Sequence, residues 1–180
     1  RHTRYISVTG VQTCALPILL PGVTYQNAPD VLSSLMANCE NRGDAMAIVD
    51  MTNYGAAISS VDSAANSYDS SYGATYWPWV QVLSHETGKL VFVPASTIMA
   101  GVYAYNDKVA ETWFAPAGFN RGGLSGVIQA ERKLSPSDRD NLYINKVNPL
   151  ATFPGQGVVA FGQKTLQTKA SALDRVNVRR

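Results

Sequence analysis

Histidine is nearly missing from this sequence: His2 and His85 are the only two among 180 residues. A histidine-based Ser or Cys triad therefore has almost nothing to be built from. "HETGK" at His85 is half of a HExxH zinc helix, with Lys89 standing where the second histidine belongs, and reads as a solvent-facing turn. Long apolar runs are also missing. None approaches the roughly 18–20 residues that cross a bilayer, and the nearest, Cys14 to Leu20, is short and interrupted by Pro17. A marked excess of one charge is absent too, with 15 Lys+Arg against 13 Asp+Glu. The basic end, Arg175 to Arg180, mixes Arg with Val and Asn in strand-like alternation. It carries too few charges for the several phosphate contacts of a nucleic-acid stripe.

Cysteine is scarce, and its meaning depends on the first residues. "RHTRYISVTGVQTCALPI", Arg1 to Ile18, is similar to one reading frame of a common sequencing-library adapter. "RHTR" matches its outer end, "YIS" falls where index bases lie, and "VTGVQTCALPI" matches its inner end. A signal peptide is the rival, because basic residues precede a short apolar patch, but the agreement through all 18 residues favours the adapter. The expected organisation is an adapter-derived stretch, 1–18, followed by one domain, 19–180. Arg1, Arg4, His2 and Cys14 then drop out, leaving 13 bases against the 13 acids and Cys39 alone. A neutral chain gives no cause to invoke nucleic acid or anionic membranes. One cysteine excludes an intrachain disulfide, so synthesis in a reducing cytoplasm is the simplest expectation.

What is present is a hydrophobic content of 46%, enough for one domain with a sizeable core. Asp30 to Glu40 reads as a helix, capped by Asp30, with Val31, Leu32, Leu35 and Met36 as its apolar stripe. Asn41 to Asp44 ends it. Ala45 to Met51 lacks polar alternation, as a strand buried on both faces does. Tyr54 to Tyr68 is small-residue-rich and helical. Thr75 to Leu83 reads as one strand, with Pro78 implying an edge position or a bulge. His85 to Lys89 turns the chain and Leu90 to Val93 continues as a strand. Pro94 opens a helix whose inner side carries Ile98, Met99, Val102 and Tyr103. Ser135-Pro136 starts another, with acids in its first turn. "FPGQG" is a turn and Val158 to Gly162 a buried strand. Alternating strands and helices predict an α/β fold, a mixed sheet flanked by helices.

"APAGFNRGGLSG", Ala115 to Gly126, looks like a phosphate loop, but a GxxxxGK[ST] cradle needs a lysine where Leu124 stands. The plainer expectation is backbone that requires positive φ or a close approach, with an anion site on Arg121 as the alternative. "GLSGV" around Ser125 misses the GxSxG elbow, since Val127 replaces the last glycine. The carboxylate pairs Asp62/Asp69 and Asp138/Asp140 are explained by solvation and capping, a paired-acid site being the alternative. "RGD" at Arg42 to Asp44 reads as an ordinary turn. No catalytic, cofactor or metal residue is predicted.

Five blocks carry a family likeness: "SYGATYWPWVQV" from Ser71, "VPASTIMAGVYAYND" from Val93, "WFAPAGFNRGGLSGV" from Trp113, "LSPSDRDNLYINKVNPLATFPGQGVVAFGQKTL" from Leu134, and "RVNVRR" from Arg175. In this order they resemble the contractile tail sheath proteins of myovirus-type bacteriophages over about Asn27 to Arg180. "NP" followed by "TFPGQG" and "FGQKTL" points to the T4-like branch, although many relatives have Trp where Phe161 stands.

The resemblance implies a virion protein, part of the sheath's inner core, forming stacked six-membered rings around a tail tube. Such rings contract when the baseplate is triggered and drive the tube through the host envelope. Neighbours exchange strands, and the energy is stored during assembly, so the resemblance implies no enzyme and no cofactor. Its partners are other sheath subunits, the tube, the baseplate and the tail terminator, with no nucleic acid or membrane. On this view Trp113, Phe114 and Phe119 anchor the glycine loop, while Trp77 and Trp79 fix a strand. Family members extend beyond both ends of the likeness, so a truncated fragment without the exchanged strands is expected. Two alternatives stand beside it: a type VI or pyocin-like sheath, and an α/β enzyme or nucleotide-binding domain using the glycine loop.

Overall fold

The computed structural model describes residues 16–180. Most of the adapter-like stretch therefore lies outside the described residues. Leu16 to Ile18 do not stand apart from the domain, because they open strand β1 (Leu16–Thr24) and pair with Ala45 to Ala47. A five-stranded sheet runs in the order β1, β2 (Ala45–Asp50), β3 (Gly73–Trp77), β7 (Val147–Phe153), β8 (Gly157–Ala160). The first three pairings are parallel and β7–β8 is antiparallel, so the sheet is mixed, as predicted.

Strand alternation sorts the core into two layers, because successive side chains point to opposite faces. Ala45, Ala47 and Val49 of β2 pack under helices α1 (Pro29–Arg42), α2 (Ile58–Asn66) and α4 (Pro136–Ile144), which contribute Leu32, Met36, Val61 and Leu142. Met46 and Ile48 face the other way, toward Met99, Val102 and Tyr103 of α3 (Ala95–Val109). A small antiparallel sheet, β5 (Leu90–Val93), β4 (Val80–Leu83), β6 (Val127–Ala130), joins α3 on that side through Val80 and Ala130.

Several expectations need correcting. Thr75 to Leu83 is not one strand. β3 lies inside the large sheet and β4 inside the small one, and the chain changes sheets at Pro78, which has no N–H to continue a ladder. Asp30 is not the cap of α1; Ala28 holds that position, Pro29 takes the first turn, and Asp30 sits within that turn near the positive end of the helix. The Tyr54–Tyr68 helix shrinks to α2. The basic end is not extended. A 3₁₀ turn, Ala172–Asp174, leads into the short helix α5 (Val176–Arg179), placing Val176 in the core. β1, β6 and β7 had no sequence prediction. The helix start expected at Ser135 is present, and the structure makes it a capping box, with Asp138 N–H donating to Ser135 Oγ and Ser135 N–H donating to Asp138.

Candidate functional site

The glycine loop lies along the outer edge of β8 and is held there by backbone. Gly118 N–H donates to Ala160 O (2.8 Å), Ala160 N–H to Gly122 O (2.7 Å), and Leu124 N–H to Val158 O (3.0 Å). Two loop amides, those of Gly118 and Leu124, thus point at strand carbonyls, and Gly122 N–H closes a turn on Gly118 O. Gly118 has φ +81°, which favours glycine. Gly122 is required for a second reason: a Cβ there would sit 2.7 Å from Ala160 O and 2.7 Å from Gly118 N. The loop therefore covers a strand edge that would otherwise invite pairing.

Arg121 is held on the loop by local contacts. Its Nε donates to Ala115 O at 3.2 Å and its guanidinium lies 4.8 Å from the Phe114 ring centre. The expected aromatic anchors face outward, Trp113 being 65% exposed, with Phe114 and Phe119 also exposed. Phe119 instead meets Phe153 edge-on at 4.9 Å, within a cluster that includes Phe161 and the guanidinium of Arg139. Of the two tryptophans in "WPW", Trp77 is buried, while Trp79 is half-buried and donates Nε1–H to Thr52 O.

The remaining sequence candidates are not brought together. His85 sits exposed in the β4–β5 turn, and among the described residues no three His, Cys, Asp or Glu side chains form a metal cluster. Ser125 is exposed at the end of the glycine loop. Asp62 accepts from Asn141 Nδ2, and Asp69 accepts from Thr168 N–H, each tying two segments together. Asp138 caps α4, and Asp140 is exposed. Arg42 and Asp44 of "RGD" form a bidentate ion pair across Gly43, which has φ +73°.

Sequence reasoning missed the buried polar groups. Asn148 Nδ2 donates to Thr75 O and Lys164 O, and its Oδ1 accepts Lys164 N–H, so one side chain stands in for a missing strand. A Cβ at Gly162 would lie 2.8 Å from Asn148 Oδ1, which explains why "NP" and "FGQK" belong together. Asp50, at the end of β2, accepts from both the N–H and the hydroxyl of Ser96 in the first turn of α3. Burial pushes its carboxyl up to about 6, opposed by the Ser96 hydrogen bonds. Tyr76 and Tyr103 share a buried hydroxyl–hydroxyl bond of 2.8 Å, and burial pushes Tyr103 up to about 12. Arg180 covers the Tyr103 ring and pairs with Asp107. Lys146, at φ 69°, donates to Tyr68 O and Thr168 Oγ1, and burial lowers its pKa. Asp ending an apolar run and Asn before Pro were the available signals.

Two helical layers around a mixed sheet, with a small antiparallel sheet beside α3, define the class as an α/β sandwich domain. Residues 18–166 match the family model of the phage tail sheath protein central domain, and the chain belongs to that family. It is 47% identical over 89 residues to the tail sheath protein of Vibrio phage KVP40, covering 49% of this chain and 13% of that protein. Against the tail sheath protein of Enterobacteria phage T4 it is 40% identical over 89 residues, 49% of this chain and 14% of that protein. Among solved structures, the helical sheath of the anti-feeding prophage in its contracted state aligns with a TM-score of 0.66 and 26% identity, over 90% of this chain and 42% of that one. The matched segments thus span less than half of each relative.

Proposed function

We propose that this chain is the core of a contractile tail sheath subunit. Subunits polymerise as stacked six-membered rings around a tail tube and shorten to drive the tube through the host envelope. The observation that carries this reading is the family match over residues 18–166. The chemistry of the surface supports it. The glycine loop is seated on β8 through the Gly118 and Leu124 amides and the Gly122 carbonyl, and the sequence candidates for catalysis lie apart or in capping roles. Contraction of this kind repacks interfaces between two discrete arrangements and needs a stiff domain, not a turnover site. The protein acts without a cofactor, in the virion, after synthesis in the bacterial cytoplasm, with the tube, baseplate and tail terminator as its other partners. Residues 1–18 are adapter-derived and 19–180 native; an independent read encoding "RHTRYIS" upstream of Leu19 would refute this. A sheath of a non-viral contractile injection system is the second reading, favoured by the likeness to the anti-feeding prophage.

Gold-labelled antibodies against residues 19–180 test the proposal. They should decorate the tails of the virions that encode this chain along their whole length, over a shorter stretch after contraction. Label on capsids, or none on tails, overturns it.

A further inference from the structure

The short helix α5 lies across both helical layers. Val176 is fully buried in the α3 layer, and its N–H donates to Gln163 O at 2.8 Å. Arg179 covers the Tyr72 ring at 3.5 Å, and its Nη2 donates to Gly43 O just past the end of α1. Arg180 reaches the other layer, where it covers the Tyr103 ring of α3 and pairs with Asp107. Two consecutive arginines thus clamp one layer each.

The clamp fits poorly in its polar detail. Twelve buried side-chain N and O atoms have no hydrogen-bond partner among the described residues, and seven of them fall here. They are Arg175 Nη1, Asn177 Oδ1, Arg179 Nε, Arg180 Nε and Nη1, and, beside the seat, Asn106 Oδ1 and Gln163 Oε1. Arg175 Nη1 has only an ion pair to Asp174 at 3.5 Å. A buried polar atom left without a partner costs more than one made hydrogen bond returns, and a concentration of them marks stored strain. Arg180 is the extreme case. Its side chain is 2% exposed while that of Asp107 is 34% exposed, so the cation is stripped of water and its partner keeps much of its own. Such a pair returns little of the cost of burying the guanidinium.

We propose that α5 is a strained latch, which opens as a unit while the sheet stays folded and whose hold is set by the buried Arg180. Opening uncovers the Tyr103 ring and the seat of Val176, and it releases the end of α1 from that of α3. The inference goes beyond the sheath reading and stands without it. To that reading it adds an element with two arrangements inside the subunit, beside the repacking between subunits.

Native-state hydrogen exchange of the 180-residue chain, followed by NMR, tests this. The N–H groups of Val176 and Arg179, which donate to Gln163 O and Arg175 O, should exchange together. They should do so about a hundredfold or more faster than Ala47, whose N–H donates to Tyr72 O in the sheet. Val61→Ala, in the core under α2, should speed exchange at Ala47 about tenfold and leave Val176 and Arg179 unchanged, because latch opening does not disturb that layer. Arg180→Met keeps an unbranched chain over Tyr103 and removes the unpartnered donors, so exchange at Val176 and Arg179 should slow about tenfold. If Val61→Ala speeds all three amides alike, α5 opens only with the whole domain and the latch is overturned. If Arg180→Met leaves the two α5 amides at the wild-type rate, the helix merely frays. If it speeds them, the ion pair holds the helix down. Either result overturns the strain.

Discussion

The helical layer of α1, α2 and α4 and the glycine loop cover the domain by different means. The layer is held by side chains: Leu32, Met36, Cys39, Val61 and Leu142 are all but fully buried against the sheet, and Trp77 joins them at 2% exposure. The loop is held by backbone, through hydrogen bonds to β8 and the close seat of Gly122, with only Leu124 of its apolar side chains in the core. Fixing a loop through its backbone frees the side chains for other uses. That is why Trp113, Phe114 and Phe119 are exposed without the loop being loose, and why aromatic content alone misplaces the anchors.

The contrast predicts opposite responses to mutation. The largest effect should come from Trp77→Ala in the side-chain region, where an emptied ring-sized space costs about 3–5 kcal/mol, read as the loss of stability in urea titration. In the backbone region the sensitive position carries no side chain. Gly122→Ala places a methyl against the Ala160 carbonyl and the Gly118 amide, and should cost about 3 kcal/mol. A Gly122→Ala protein as stable as the wild type would show that the loop is not seated by its backbone.

Legibility in the sequence followed the same division. α1, α3 and α4 and the buried β2 announced themselves through periodicity, caps and an unbroken apolar run, which are local signals. β7 was hidden because "VNPLATF" contains a proline and a buried asparagine, and its logic resides in contacts with Thr75 and Lys164 far along the chain. The split of Thr75–Leu83 between two sheets is likewise a tertiary fact, for which Pro78 gave a hint of irregularity but not its kind. The glycine loop was recognisable as backbone-driven, but which of its glycines matters depends on where β8 lies.

A smaller effect is expected where the loop's side of the sheet meets α3. Asp50 is buried at the start of that helix, and its carboxyl titrates near 6 in the folded protein against about 3.8 when unfolded. Because the folded pKa is the higher one, the folded state binds the extra proton between these values. The cost of the buried charge is absent below about pH 4, grows as the pH rises toward 6, and is full above it. Asp50→Asn should therefore raise stability at pH 8 by about 1–2 kcal/mol and change it little at pH 4. A loss of stability at pH 8 would show that the Ser96 hydrogen bonds to the carboxylate outweigh its burial.

The smallest effect should be at Trp113, and it isolates the comparison most sharply. The family resemblance implies that this residue anchors the loop. The structure leaves the ring 65% exposed and uses only the main chain, whose carbonyl accepts a hydrogen bond from Asn177 Nδ2 at 2.9 Å. Alanine keeps that bond and removes only surface that is already largely in water. Trp113→Ala should change stability by no more than about 0.5 kcal/mol, ten times less than the upper cost at Trp77. Equilibrium unfolding of the two variants side by side decides the matter. If both lose several kcal/mol, the loop depends on its aromatics after all, and the division between side-chain and backbone anchoring collapses.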